Sequence, residues 1–327
     1  MPEGSEPPHA REVSSRRAKE SPTTLVYYRT GFGKLIGGSV MKIDIQDHRV
    51  HPGKEVDLER WPTRIKPVYK SKRNYQELLG EHVEELSDLQ RRLYASDRYA
   101  LLLIFQGMDA AGKDGAIRHV LSGVDPQGCL VSSFKEPSVE ERLHDFLWRT
   151  TKRLPQRGMI GIFNRSYYED VLVARVHPGI LEASGISAKE SSPKSFWKER
   201  FRSIADHERH LHRNGTRIVK IFLHLSKREQ KSRFLERIDN PDKNWKFGAA
   251  DAHERSHWDE YAEAYGDCLA RTSAGHAPWY VVPADDKENA RLIISEIVVH
   301  TLREMGMEYP QTTPKHRQEL LELRKTL

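Results

Sequence analysis

The sequence predicts a three-layer α/β fold, a parallel five-stranded sheet with helices on both faces. Three observations predict it. Five short runs are continuously apolar, as expected of strands covered on both sides. Stretches with helical spacing separate these runs. A glycine-rich segment joins the first run directly to the helix that follows it.

Taken in order, residues 1–45 are rich in Pro, Ser, Gly and charge and are expected to form a flexible N-terminal extension. Within it, Gly31-Phe32-Gly33-Lys34 has no strand before it and no helix signal after it, so it is not read as a phosphate loop. Residues 46–310 are expected to form the main domain and 311–327 a helical tail. Apolar residues at Tyr75, Leu78, Leu79, Leu86, Leu89 and Leu93 share one helix face. The strands follow at 99–106, 129–134, 159–163, 217–225 and 279–283, with helices near 113–122, 138–152, 194–213 and 286–305. Residues 226–271 break the alternation. They are long, charged and helical in pattern, which reads as a lid over a site.

The 327 residues, 37% hydrophobic and 31% charged, suffice for a sizeable core under a charged surface. Lys and Arg number 53 against 47 Asp and Glu, a net +6, so placement matters more than the total. The basic residues cluster between Lys220 and Arg255, which suggests a polyanionic partner. Cys129 and Cys268 are the only cysteines and form no CxxC pair, so a reducing cytoplasm is the expected setting. The longest apolar run, Tyr99 to Phe105, is too short to span a membrane, and no secretory leader is visible.

The strongest chemical signal is Gly107-Met108-Asp109-Ala110-Ala111-Gly112-Lys113-Asp114-Gly115. Glycines let backbone N–H groups approach phosphate oxygens, and Lys113 reaches the terminal phosphates. The helix beginning near Lys113 points its positive end at the same place. Asp114 stands where a Ser or Thr hydroxyl usually ligates Mg²⁺, and Asp109 adds a second carboxylate. Two acids beside phosphates call for a divalent cation, so Asp109 is expected to hold Mg²⁺ and Asp114 to cap the helix. The third strand ends in Asn164-Arg165, at the carboxyl edge where α/β sheets bind ligands, and Arg165 suits bridging of two phosphates.

The string GMDAAGKDG, with FKEPS at 134–138, FLWR at 146–149 and FNRSYYEDVLVARVHP at 163–178, resembles type 2 polyphosphate kinases. The likeness continues through LSKREQKSRFLER at 225–237, WKFG at 245–248, ERSHWDEYAEAY at 254–265 and HAPWYVVPADDK at 276–287. It implies a thymidylate-kinase-like P-loop kinase core with a helical lid, using Mg²⁺ and inorganic polyphosphate as donor to adenine nucleotides. Asp109, Lys113 and Arg165 match the family's catalytic positions, while Asn164 stands where many members have Asp. Asn164 with Glu169 resembles the subgroup accepting both mono- and diphosphates, so AMP→ADP and ADP→ATP are expected.

Phosphate and polyphosphate contacts are expected from Gly107, Ala110, Ala111, Gly112, Asp114, Gly115 and Arg118, and across the lid from Lys227, Arg228, Arg233, Arg237, Lys246 and Arg255. A row of cations complements a chain carrying about one charge per phosphate. Nucleotide contacts are expected from Lys135, Pro137, Asn164, Tyr168, Glu169 and Arg175. A homo-oligomer, dimer or tetramer, is expected, and neither nucleic acid nor membrane is an expected partner. Two other activities compete: a conventional ATP-dependent nucleoside monophosphate kinase, and a zinc hydrolase suggested by His253-Glu254-Arg255-Ser256-His257, a literal HExxH.

Overall fold

The structure is a computed structural model that describes residues 43–327. Its strands are β1 (Ala100–Gln106), β2 (Cys129–Ser133), β3 (Ile160–Asn164), β4 (Thr216–His224) and β5 (Trp279–Pro283). All pair in parallel in the order β2-β3-β1-β4-β5, with Phe105 opposite Asn164 in β3 and Ile221 in β4. Each predicted strand is present to within two residues. For β1, β3, β4 and β5 the reason is burial on both faces, which leaves a largely apolar run in the sequence. β2, at the sheet edge, is instead partly exposed at Leu130 and Val131, contrary to expectation.

The helices are α1 (Lys72–Ser96), α2 (Lys113–Val120), α3 (Val139–Arg142), α4 (Trp148–Thr151), α5 (Glu169–Val176), α6 (Gly179–Glu182) and α7 (Ala188–Ser191). They continue with α8 (Lys194–Arg213), α9 (Lys227–Asp239), α10 (Ala249–Glu254), α11 (Trp258–Thr272), α12 (Lys287–Glu304) and α13 (Pro314–Thr326). Alternation along each strand sends side chains to opposite faces. Leu101, Leu103 and Phe105 meet α1, α2 and α12, while Leu102, Ile104 and Phe222 meet α5, α8 and α11. Hence three layers form around two apolar cores.

Four further expectations need correction. The helix expected over 138–152 is two single turns, α3 and α4. Between them the Asp145 carboxylate accepts from the Leu147 N–H at 2.9 Å, an aspartate turn that competes with helix. The expected lid over 226–271 divides. Ala264, Tyr265, Cys268 and Leu269 of α11 are buried in the core, so its second half is scaffold. Lys220, counted in the basic cluster, is fully buried, with Nζ 2.5 Å from Glu208 Oε2 and 2.8 Å from the Thr272 carbonyl. It neutralises a buried carboxylate and offers nothing to a polyanion. Ile45, assigned to the N-terminal extension, is a core residue in a 3-10 turn. The remainder of that extension up to residue 42, with Gly31-Phe32-Gly33-Lys34, lies outside the described residues.

Candidate active site

Two chain reversals at the carboxyl edge of the sheet build the site. β1 runs into the phosphate loop, and β3 runs into Arg165 and α5. Gly107 opens the loop against the neighbouring strand. A Cβ there would stand 3.0 Å from the Leu223 carbonyl oxygen, so only glycine fits without a shift. Ala110 takes a left-handed backbone, φ 63°, as does Gly112, φ 100°, at the N-cap of α2. Holding a non-glycine residue there costs about 1–3 kcal/mol, and such strain concentrates at functional sites.

The loop is braced from one side by α9. Gln230 Nε2 donates to the Asp109 carbonyl at 2.9 Å, and Arg233 Nη1 donates to the Ala110 and Ala111 carbonyls, both at 3.0 Å. In a trans peptide the C=O and N–H point opposite ways. Fixing these carbonyls against α9 therefore turns the N–H groups of Ala110 and Gly112 to the far side, while the Ala111 N–H closes a turn onto the Met108 carbonyl at 3.1 Å. Arg233 also reaches the Ala284 carbonyl at 2.5 Å and Glu229 at 3.0 Å. Expected on the lid's polyphosphate face, it is buried, and its guanidinium donors are engaged by backbone carbonyls and Glu229. Arg255, likewise expected there, donates to the Lys227 carbonyl and Gln230 Oε1, both at 2.8 Å, so it braces α9.

Gly112 caps α2 without any side-chain hydrogen bond. The first N–H groups of a helix lack intrahelical partners, which makes this end a ready anion site. Asp114, expected to cap the helix, instead accepts from Asn164 Nδ2 at 2.6 Å. Its carboxylate points across to β3 rather than back at its own helix terminus. Lys113 Nζ donates to the Gly107 carbonyl at 2.6 Å. Burial, and next the Arg165 charge, hold its pKa below the usual lysine value.

Arg165 stands at φ 63°, with its N–H on the Phe105 carbonyl at 3.0 Å. Its Nη2 is 3.2 Å from Asp109 Oδ1 and its Nη1 is 3.5 Å from Glu169 Oε2. Desolvation opposes its charge, but Glu169 and Asp109 outweigh that and hold its pKa above the usual value. Glu169 Oε1 in turn accepts from Gln106 Nε2 at 3.0 Å. The structure thus brings Asp109, Lys113, Asp114, Asn164, Arg165 and Glu169 together.

Other expected residues fall elsewhere. Tyr168, expected at the nucleotide, is fully buried. Its hydroxyl lies 2.8 Å from Glu208 Oε1 and 3.0 Å from Lys220 Nζ, within the core. Arg175 is engaged by Asp267 at 2.7 Å and Glu263 at 2.8 Å, tying α5 to α11. Lys135 is exposed, its carbonyl held by Arg149 at 2.7 Å. Pro137 lines a cleft of about 240 Å³ with Phe146, Arg149, Asp170 and Arg200. Lys227, Arg228 and Arg118 are exposed, and Arg237 is half-buried with its guanidinium 5.7 Å from the Phe234 ring. The Lys246 side chain lies outside the described residues.

The HExxH string does not lie on one helix. α10 ends at Glu254, and Arg255–His257 forms a 3-10 turn. Glu254 accepts from Tyr261 at 2.7 Å and meets His177 at 2.9 Å. Among the described residues, no group of three or more His, Cys, Asp or Glu side chains is placed to hold a metal alone. Magnesium asks less, since one or two carboxylates plus substrate phosphates suffice. The oxygen donors of Asp109 and Asp114, either side of the loop, fit that demand.

Sequence reasoning missed Gln106 and Gln230. The only trace of Gln106 is a polar residue closing an apolar strand, and nothing marks Gln230 among its charged neighbours.

The chain is similar to known proteins of one family. The family described as Polyphosphate kinase 2 (PPK2) matches residues 69–310. An ADP-polyphosphate phosphotransferase of Rhodopseudomonas palustris is 61% identical over 287 residues, 88% of this chain and 99% of that protein. An AMP/ADP-polyphosphate phosphotransferase of Meiothermus ruber is 41% identical over 268 residues, 82% of this chain and 96% of that one. The crystal structure of Polyphosphate Kinase 2 from Arthrobacter aurescens superposes with a TM-score of 0.74 at 38% identity, covering 84% of this chain and 95% of that one. Phosphate loop, arginine-bearing strand end and the relatives converge: the chain belongs to the polyphosphate kinase 2 family.

Proposed function

We propose that this chain transfers phosphoryl groups from inorganic polyphosphate to AMP and ADP with Mg²⁺. The observation that carries the reading is the position of Arg165, 3.2 Å from Asp109 of the phosphate loop and backed by Glu169. A guanidinium there bonds the transferring group's oxygens in the transition state, where charge spreads outward. The loop N–H groups and the first turn of α2 bind the reacting phosphates, and Lys113 moves from the Gly107 carbonyl onto them. Asp109, with Asp114 nearby, would hold Mg²⁺, which when bound neutralises phosphate charge. No covalent intermediate is needed, because positioning and electrostatics account for most of the rate in such transfers.

The acceptor is read as adenine nucleotide from the relatives' names, of which one carries ADP alone and another both AMP and ADP. The cleft beside Phe146 and Arg149 is the acceptor side of this reading. Exposed Lys227 and Arg228 lead the donor chain toward the loop.

The test is nucleotide formation from long-chain polyphosphate and Mg²⁺ with no ATP supplied, run separately with AMP and with ADP. Product from both supports the full reading, and product from ADP alone removes AMP as acceptor. Activity that appears only when ATP is the donor would overturn the polyphosphate assignment.

Among the described residues no helix is long and apolar enough to cross a membrane. Cys129 and Cys268 are unpaired, which supports a cytoplasmic setting; localisation of a tagged chain tests it. Exposed Leu320, Leu321 and Leu323 on α13 support assembly of two or four copies. Light scattering that shows monomers at assay concentration would remove that element.

A further inference from the structure

Gln106 is the last residue of β1, immediately before the phosphate loop, and its side chain is fully buried. The residues before it in the strand, Leu101 to Phe105, are all apolar. A buried amide at the end of such a strand costs stability unless its polar atoms are bonded. Gln106 meets only part of that demand. Nε2 donates to Glu169 Oε1 at 3.0 Å, while Oε1 has no protein partner among the described residues. A methionine or leucine would fit the strand with no orphaned oxygen. The amide orientation is unambiguous, since a flipped amide would set oxygen against a carboxylate.

Glu169 is held at both ends. Gln106 takes Oε1, and Arg165 Nη1 lies 3.5 Å from Oε2. Arg165 divides its own guanidinium between Glu169 and Asp109. A transferring phosphoryl group must therefore share this guanidinium with both carboxylates, using the N–H groups they leave open. A carboxylate free to swing would then compete with the phosphate for the same N–H groups. One anchored from behind stays put and leaves them open.

We propose that Gln106 is a positioning residue for phosphoryl transfer, fixing Glu169 so that Arg165 is aimed at the transferring group. The inference rests on the phosphoryl-transfer reading of this site, and its action runs through Glu169 rather than through contact with substrate. It explains why a buried amide with an unbonded oxygen stands where an apolar side chain would pack.

The test compares Gln106→Met with the unchanged protein, using polyphosphate, Mg²⁺ and ADP. Wild-type turnover is established first, so that failure of the overall activity is seen separately from failure of this inference. The variant is expected to melt at or above the wild-type temperature while kcat falls roughly tenfold or more and both KM values stay within about twofold. Gln106→Asn, which keeps the amide but is one methylene too short, is expected to give the same split. It also serves if the methionine variant does not fold. The Met substitution is then repeated in a Glu169→Ala background, which removes the accepting oxygen, and there it should cost no further kcat, because residues acting as one unit are not additive. An unchanged kcat in both single variants, a loss confined to KM, or a fully additive loss in the double variant would each overturn the proposal.

Discussion

Asn164 Nδ2 donates to Asp114 Oδ1 at 2.6 Å, tying the last residue of β3 to the first turn of α2. An amide at 164 lets a carboxylate stand there without a cation. Asn164→Asp would set two carboxylates face to face. In a magnesium-free buffer at neutral pH this variant is expected to melt a few degrees below wild type, with the difference shrinking as Mg²⁺ is added. A melting point equal to wild type without magnesium would count against the contact.

Lys113→Ala is expected to reduce kcat at least about a hundredfold, as loss of a donor aimed at developing charge does. The melting temperature should stay close to wild type, since Nζ reaches only the Gly107 and Met108 carbonyls. Retained turnover would refute the mechanism.

Arg233 and the exposed lid cations should separate in experiment. Arg233→Lys replaces a planar fork by a single ammonium that cannot span the carbonyls of residues 110, 111 and 284. We expect a loss of about 3 kcal/mol of stability, read as a lower midpoint in denaturant. Lys227→Ala with Arg228→Ala should leave the midpoint unchanged, raise KM for long polyphosphate, and flatten its dependence on salt. The reverse pattern would return Arg233 to the polyphosphate surface.

Asp170 offers a pH test at the cleft lined by Pro137, Phe146 and Arg200. Burial raises its pKa to about 6, against which Arg200 and Arg149 pull downward. A folded-state pKa above the unfolded value gives stability that is complete below the unfolded pKa and lost as pH rises through the folded one. From pH 4 to 7, wild type should therefore lose roughly 2–3 kcal/mol relative to Asp170→Asn. Parallel stability curves for the two proteins would show that the carboxyl is not perturbed.

Much of this molecule is legible in its sequence, for a local reason. A parallel strand buried on both faces is apolar at most positions, so β1, β3, β4 and β5 announce themselves within a residue or two. Lys220 inside β4 is tolerated because Glu208 neutralises it. A phosphate loop must follow such a strand and open a helix, and Gly107 to Lys113 does both. The grouping of Asp109, Lys113, Arg165 and Glu169 was legible too, because the carboxyl edge of a parallel sheet collects the ends of neighbouring strands. The sequence by itself thus determined the layers and the residue types gathered at the carboxyl edge of the sheet.

Only the tertiary structure decided what each polar side chain does. Arg233 and Lys227 share a helix and a charge, yet one is buried under backbone carbonyls and the other exposed. Tyr168 and Glu169 are adjacent, yet one closes a core network and the other faces the site. A cation or hydroxyl satisfies its hydrogen bonds with whichever partner the packing brings near, and such a partner lies 40 positions away for Tyr168, at Glu208, and 123 away for Arg233, at Ala110. Spacing along the chain reports which face a residue shares. It carries no record of what folds against that face.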